Sequence, residues 1–150
     1  MIKKLVLLVC CLIALTACSD SSEKDTSVFQ YKDAYIGDNS AVINIAQRVT
    51  TLNEVDRFKL QTEEEPYGIE LYYKENSDAL TPQAINKEVH QQSVYLYYLI
   101  KNVDYVSFNF NNQVIHTNRN MYDQDLKALN KIENINEQKV NNYLYDTYAP

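Results

Sequence analysis

Between Thr81 and about Asn102 the chain carries the feature that most limits its fold, a long amphipathic run with a defined start. The Thr81 hydroxyl can cap a helix, and Pro82 suits the first helical position, where a missing amide hydrogen does no harm. Ile85, Val89, Leu96, Leu99, Ile100 and Val103 then recur on one face. Such a helix spans roughly 30 Å at about 1.5 Å per residue. Gln92 falls in the middle of the apolar stripe, which predicts either a covering loop or the point at which the helix leaves the core.

On both sides of this run the pattern changes to alternation. Phe58 and Leu60 alternate with Arg57, Lys59 and Gln61, and Ile69, Leu71 and Tyr73 with Glu70 and Tyr72, which predicts a hairpin. Glu63-Glu64-Glu65-Pro66 connects the two strands; consecutive carboxylates repel one another, so this is read as a solvated loop and not a metal site. After the long helix, Val106, Phe108 and Phe110 face one way, Asn111-Asn112 is a turn, and Gln113 to Thr117 returns. Shorter helices are predicted from Ala41 to about Thr50, capped by Asn39 or Ser40, from about Met121 to Lys131, and around Val140, Tyr143, Leu144 and Tyr148. Gly37-Asp38 is read as part of the turn before the first of these, because no second glycine or lysine joins it as a phosphate loop requires. The order helix, hairpin, long helix, hairpin, two helices predicts an α+β fold. In it a single antiparallel sheet of about four strands is packed by helices, chiefly on one face.

The N-terminus carries a different kind of signal. Lys3 and Lys4 precede an apolar span from Leu5 to Leu15, of signal-peptide length and short of the roughly 20 residues a spanning helix needs. Leu15-Thr16-Ala17-Cys18 resembles the lipobox of bacterial lipoproteins, in which the cysteine accepts a diacylglycerol through a thioether. Cys10 and Cys11 lie in the segment that would be removed, so the mature chain keeps one thiol and lipid attachment accounts for it. The expected organisation is a signal peptide over 1–17, a flexible tether over 18–27 beginning at lipidated Cys18, and one α+β domain over 28–150. The tether, at about 5–6 Å per square root of residue number, holds that domain close to the membrane.

Without Lys3 and Lys4, twelve basic side chains face twenty acidic ones, a formal charge of −8. That sign excludes nucleic acid as a partner and disfavours anionic surfaces, so the diacylglycerol must supply the membrane contact, and an envelope protein or a neutral ligand is the expected further partner. No glycine-rich loop, nucleophile elbow or cysteine pair is present; no catalytic residue, metal or cofactor is assigned. His90 is expected to be exposed on the polar face of the long helix. His116, sharing a strand face with Val114, is expected to be partly buried. Either histidine could in principle act with Glu88, Asp104 or Asp123. Tyr95, Tyr97 and Tyr98 cover more than one side of the long helix and are the candidate binding residues, since a tyrosine combines an apolar body with a wet hydroxyl.

Several short motifs together carry a family resemblance: Tyr31-Lys32, Tyr35-Ile36-Gly37-Asp38-Asn39-Ser40, Leu60-Gln61-Thr62, Pro66-Tyr67-Gly68-Ile69 with Tyr73, and Leu99-Ile100-Lys101-Asn102-Val103-Asp104 with Val106. Over roughly Tyr31 to Tyr122 the chain resembles the 4825 family of domains of unknown function, found in small lipoproteins of Firmicutes. The resemblance implies a Gram-positive lipoprotein anchored on the outer face of the cell membrane, and it brings no activity or site residues. Two classes of function stay open. One is a non-enzymatic binding or accessory role at the envelope, of which an immunity or inhibitor lipoprotein is a special case. The other is a hydrolase acting on cell-wall polymer, with His116 and nearby acids at its site.

Overall fold

The computed structural model describes residues 27–51, 54–74 and 80–148. The signal segment, Cys18 and the tether as far as residue 26 lie outside the described residues. A 3-10 turn, Val28–Tyr31, leads into α1 (Asn39–Val49). The cap of α1 is Asp38, one residue earlier than expected: its Oδ1 accepts from the Ala41 amide at 3.0 Å. The first hairpin is β1 (Val55–Gln61) and β2 (Gly68–Tyr73), followed by the long helix α2 (Pro82–Leu99). The second hairpin is β3 (Tyr105–Phe110) and β4 (Gln113–Asn118). A 3-10 turn, Arg119–Tyr122, then opens into α3 (Asp123–Leu129), and α4 (Glu137–Tyr148) closes the domain.

The α+β class stands. The sheet runs β1-β2-β3-β4 with both hairpins antiparallel, and the two hairpins join through a parallel pair, β2 with β3, which makes the sheet mixed. The reason is the helix between them. A helix of 18 residues carries the chain back to the end at which β2 began, so β3 starts beside Gly68 and runs with β2. Alternation within each strand says nothing about that choice.

Every second strand residue turns toward α2. Ile69 and Leu71 of β2 and Val106 and Phe108 of β3 are fully buried in register with one another. From Gln92 to Tyr97 every residue of α2 is buried, as expected of a helix enclosed by a sheet and other helices together. The opposite sheet face is open: Arg57, Lys59, Val114 and His116 are exposed, and Glu70, Tyr72 and Asn109 are half-buried. On that face the Tyr105 ring lies across Gly68. A Cβ at Gly68 would fall 2.0 Å from the ring, so the close approach requires glycine.

The segment before α1 is stitched to the loop after α2. Ala34 donates to the Leu99 carbonyl at 3.1 Å and accepts from the Lys101 amide at 2.9 Å, and the Ile36 amide donates to Asn102 Oδ1 at 2.8 Å. Ser27 is already part of the domain, because its hydroxyl and the Val28 amide both donate to Glu137 Oε2, at 2.9 and 3.1 Å. The chain therefore enters the fold beside the N-terminus of α4.

Candidate functional site

The early turns of α2 present a polar face to solvent. Gln83, Asn86, Lys87 and His90 recur at helical spacing on the side away from buried Ile85, Glu88 and Val89. Where that face meets the last turn of α4, a groove of about 560 Å³ opens, lined by these residues together with Ala84, Gln91 and Tyr148. Pockets of this size hold small molecules.

Behind the groove lies a buried carboxylate. Asp125, in the first turn of α3, is 5% exposed, and its Oδ1 accepts from the Tyr143 hydroxyl at 2.8 Å and the Tyr148 hydroxyl at 3.0 Å. Its Oδ2 lies 3.8 Å from His90 Nε2. That nitrogen is buried and makes no hydrogen bond to a described residue. The His90 ring lies between two tyrosine rings, with centroids 3.9 Å from Tyr148 and 5.1 Å from Tyr122. Burial pushes the His90 pKa below the ordinary histidine value, against the opposing pull of Asp125. Burial, with the hydrogen bond to Asp125, raises the pKa of the Tyr148 hydroxyl.

A histidine whose folded pKa lies below its unfolded value of 6.5 gives stability that is full above that value and is lost as pH falls from 6.5 through the folded pKa, because the unfolded chain takes up the proton first. The melting temperature is therefore expected to drop on acidification through this window, and His90→Gln to flatten that part of the profile. A melting series at closely spaced pH values checks this; an unchanged slope in the variant would mean that His90 is not the titrating group.

The two histidines exchange the roles expected of them. His90 is half-buried because Tyr122, Asp125 of α3 and Tyr148 of α4 pack against its edge of the polar helix face. His116 is exposed because β4 is an edge strand and its Val114 and His116 positions point to the open face of the sheet. His116 Nδ1 lies 2.8 Å from Ser107 Oγ, in a row across the sheet with Glu70 and Lys59. Glu70 in that row is held by Lys59 at 2.8 Å and by the Tyr72 hydroxyl at 2.6 Å. Ser107 sits on a strand paired on both sides, so the backbone amides around it are engaged in the ladder and offer no pair of donors for an oxyanion.

The acids expected near the histidines are engaged elsewhere. Glu88 is 2% exposed and accepts from the Thr51 amide and from Gln92 Nε2, each at 2.6 Å, and from the Thr51 hydroxyl. Asp104 accepts from the Tyr67 amide at 2.7 Å, and Asp123 lies 3.8 Å from Lys127. The carboxylate that does face a histidine, Asp125, was not singled out in the sequence. Its aromatic and acidic neighbours in the last two helices were the available signal.

Of the candidate tyrosines, Tyr95 and Tyr97 belong to the interior. Tyr95 donates to Asn141 Oδ1 at 2.7 Å, and the Tyr97 hydroxyl lies 2.9 Å from Thr117 Oγ1. Tyr98 is half-buried, 6.2 Å from the Phe29 ring with the Lys32 ammonium 5.3 Å above it. Enclosure of α2 from Gln92 to Tyr97 takes the first two inside, Tyr95 at the edge of a smaller cavity beside Glu137 and Asn141; the tyrosine that reaches the groove is Tyr148. Cys18 lies outside the described residues. Among the described residues no group of three or more His, Cys, Asp or Glu side chains is placed to hold a metal ion, and no helix is long and apolar enough to cross a membrane.

The fold and groove together define an α+β domain with one open sheet face and a small-molecule-sized groove furnished with hydrogen-bonding and stacking groups. A family profile described as Domain of unknown function (DUF4825) matches residues 28–124, and the chain belongs to that family. No curated protein and no solved structure matches it. The match ends one residue before Asp125, so the α2 wall of the groove lies within the family segment, and Asp125, Tyr143 and Tyr148 lie beyond it.

Proposed function

We propose that this chain is a lipid-anchored domain on the outer face of a Gram-positive cell membrane, with a binding or accessory role in which the groove between α2 and α4 takes up a ligand. The anchor rests on Leu15-Thr16-Ala17-Cys18 and the apolar span before it. The observation that carries the binding role is the groove and its position. Helix α4 begins at Glu137, beside the point where the tether enters, and ends at Tyr148 in the groove, about 17 Å further along at 1.5 Å per residue. A site so placed stands off from the membrane end of the domain.

The lining supports binding over hydrolysis. Carboxamides, one ammonium and two aromatic rings hold and orient a molecule, and the one hydroxyl among the described lining residues, that of Tyr148, donates to Asp125 and has its pKa raised, first by burial, which opposes the ionisation a nucleophile needs. Replacing Cys18 by alanine is expected to abolish labelling by a radiolabelled fatty acid and to release the domain, still folded, into the medium. If the variant stayed on the membrane without lipid, residues 1–17 would be an uncleaved anchor and the lipoprotein reading would fall.

A further inference from the structure

The chemistry of the groove selects among ligands. We propose that it binds a pyranose ring that carries a carboxylate, the unit of an acidic glycan; this rests on the groove being the ligand site proposed above. Three features of the lining converge on that class.

The first is a fixed aromatic face. Tyr148 is 39% exposed, and its hydroxyl is held by Asp125, so the ring cannot turn away and presents a flat apolar surface beside His90. The C–H face of a sugar packs on such a ring as an apolar side chain would.

The second is the rim. Gln83, Asn86 and Gln91 each offer a carboxamide, which both donates and accepts, as hydroxyl and acetamido groups require.

The third is charge. Lys87 is exposed on the lining and pairs with no described residue, whereas the carboxylates close by are buried: Asp125, held by Tyr148, is 5% exposed, and Glu88, held by Thr51 and Gln92, is 2% exposed. An anion entering the groove thus meets an ammonium and, among the described lining residues, no carboxylate, on a chain that is otherwise acidic.

Two probes isolate the carboxylate: N-acetylmuramic acid, and N-acetylglucosamine, which lacks its lactyl acid. Benzoate serves as a flat carboxylate without hydroxyls. Saturation-transfer NMR on the full lipidated chain in detergent micelles is expected to show saturable binding of N-acetylmuramic acid at least tenfold tighter than N-acetylglucosamine. Tyr148→Ala should weaken it at least tenfold, while Tyr148→Phe, which keeps the ring but frees it from Asp125, should weaken it by less than Tyr148→Ala does. Lys87→Gln should bring the two sugars level, and His116→Ala, on the far side of the sheet, should change neither. Circular dichroism confirms that each variant is folded. Equal affinity of the two sugars for the unaltered chain, or binding indifferent to Tyr148→Ala in a folded variant, overturns the proposal. Binding of benzoate alone, lost in Tyr148→Ala, overturns the sugar class and leaves the groove as a ligand site. If no probe binds, both readings fall.

Discussion

Replacing Arg119 by methionine is expected to lower the free energy of unfolding by about 3 kcal/mol, since hydrogen bonds from a charged donor contribute roughly 1.5–3 kcal/mol each and are not additive. The guanidinium closes the end of the central helix. Its Nη1 donates to the Tyr97 carbonyl at 2.8 Å, its Nη2 to Ile100 at 2.6 Å and its Nε to Val103 at 2.9 Å. The last carbonyls of a helix have no partner within it, and the residues that carry these carbonyls, Tyr97, Ile100 and Val103, are at most 1% exposed. The cation also faces the negative end of the helix dipole. Burial pushes the Arg119 pKa down, against the opposing influence of Tyr97, Asp104 and Asp123, yet a guanidinium stays charged throughout the working range. Methionine fills the stem of the side chain and leaves three carbonyls unmet. Lysine keeps the charge but not the fork, so Arg119→Lys should recover less than half of the loss. Urea unfolding with an unchanged slope measures both. A loss below about 1 kcal/mol in Arg119→Met, the scale of a single ordinary hydrogen bond, would show that the fork is dispensable.

Gln92→Leu is the second large effect, at about 2–4 kcal/mol, although it makes the apolar stripe of the long helix continuous. Gln92 is 0% exposed and stands in a buried chain of hydrogen bonds. The Tyr73 hydroxyl donates to its Oε1 at 2.8 Å, and its Nε2 donates to Glu88 Oε1 at 2.6 Å. Glu88 in turn receives the amide and hydroxyl of Thr51, which ties α2 to the segment after α1. Leucine at position 92 removes a donor from a buried carboxylate and the acceptor of a buried hydroxyl, and a partly satisfied network is worse than an apolar one. Adding Tyr73→Phe to Gln92→Leu removes the stranded hydroxyl and should restore part of the loss, a positive coupling that a double-mutant cycle reads directly. Stability unchanged or raised in Gln92→Leu would mean that the network contributes specificity alone.

These two residues mark how far the sequence could be followed. Gln92 was visible as an anomaly, because a polar residue interrupts a repeating apolar pattern; the network around it was not, because Tyr73, which donates to Gln92, and Thr51, which donates to its partner Glu88, belong to other elements. Arg119 carried no signal at all, since an arginine after a strand normally faces water. His90 and His116 were assigned to the wrong environments for a related reason. Periodicity sorts residues by face within one helix or strand, but exposure depends on whether a later element covers that face. Helices α3 and α4 cover His90, and nothing among the described residues covers the open side of β4.

The sequence by itself determined what depends on near neighbours along the chain. The capped start of the long helix at Thr81-Pro82, the period of two in four strands, the turn at Asn111-Asn112 and hence the α+β class are consequences of local stereochemistry. The motif at Cys18 rests on contiguous residues, and the family resemblance on several short motifs at fixed spacing, each of them local. Tertiary structure alone decided what depends on residues far apart. The crossover through α2 made the central strand pair parallel, the enclosure of α2 took Tyr95 and Tyr97 inside, and α4 brought Tyr148 to His90 across 58 positions of sequence to form the groove. Hydrogen-bonding and packing energies act over a few ångströms in space, whatever the separation along the chain, and a linear pattern records only the part of them that neighbours share.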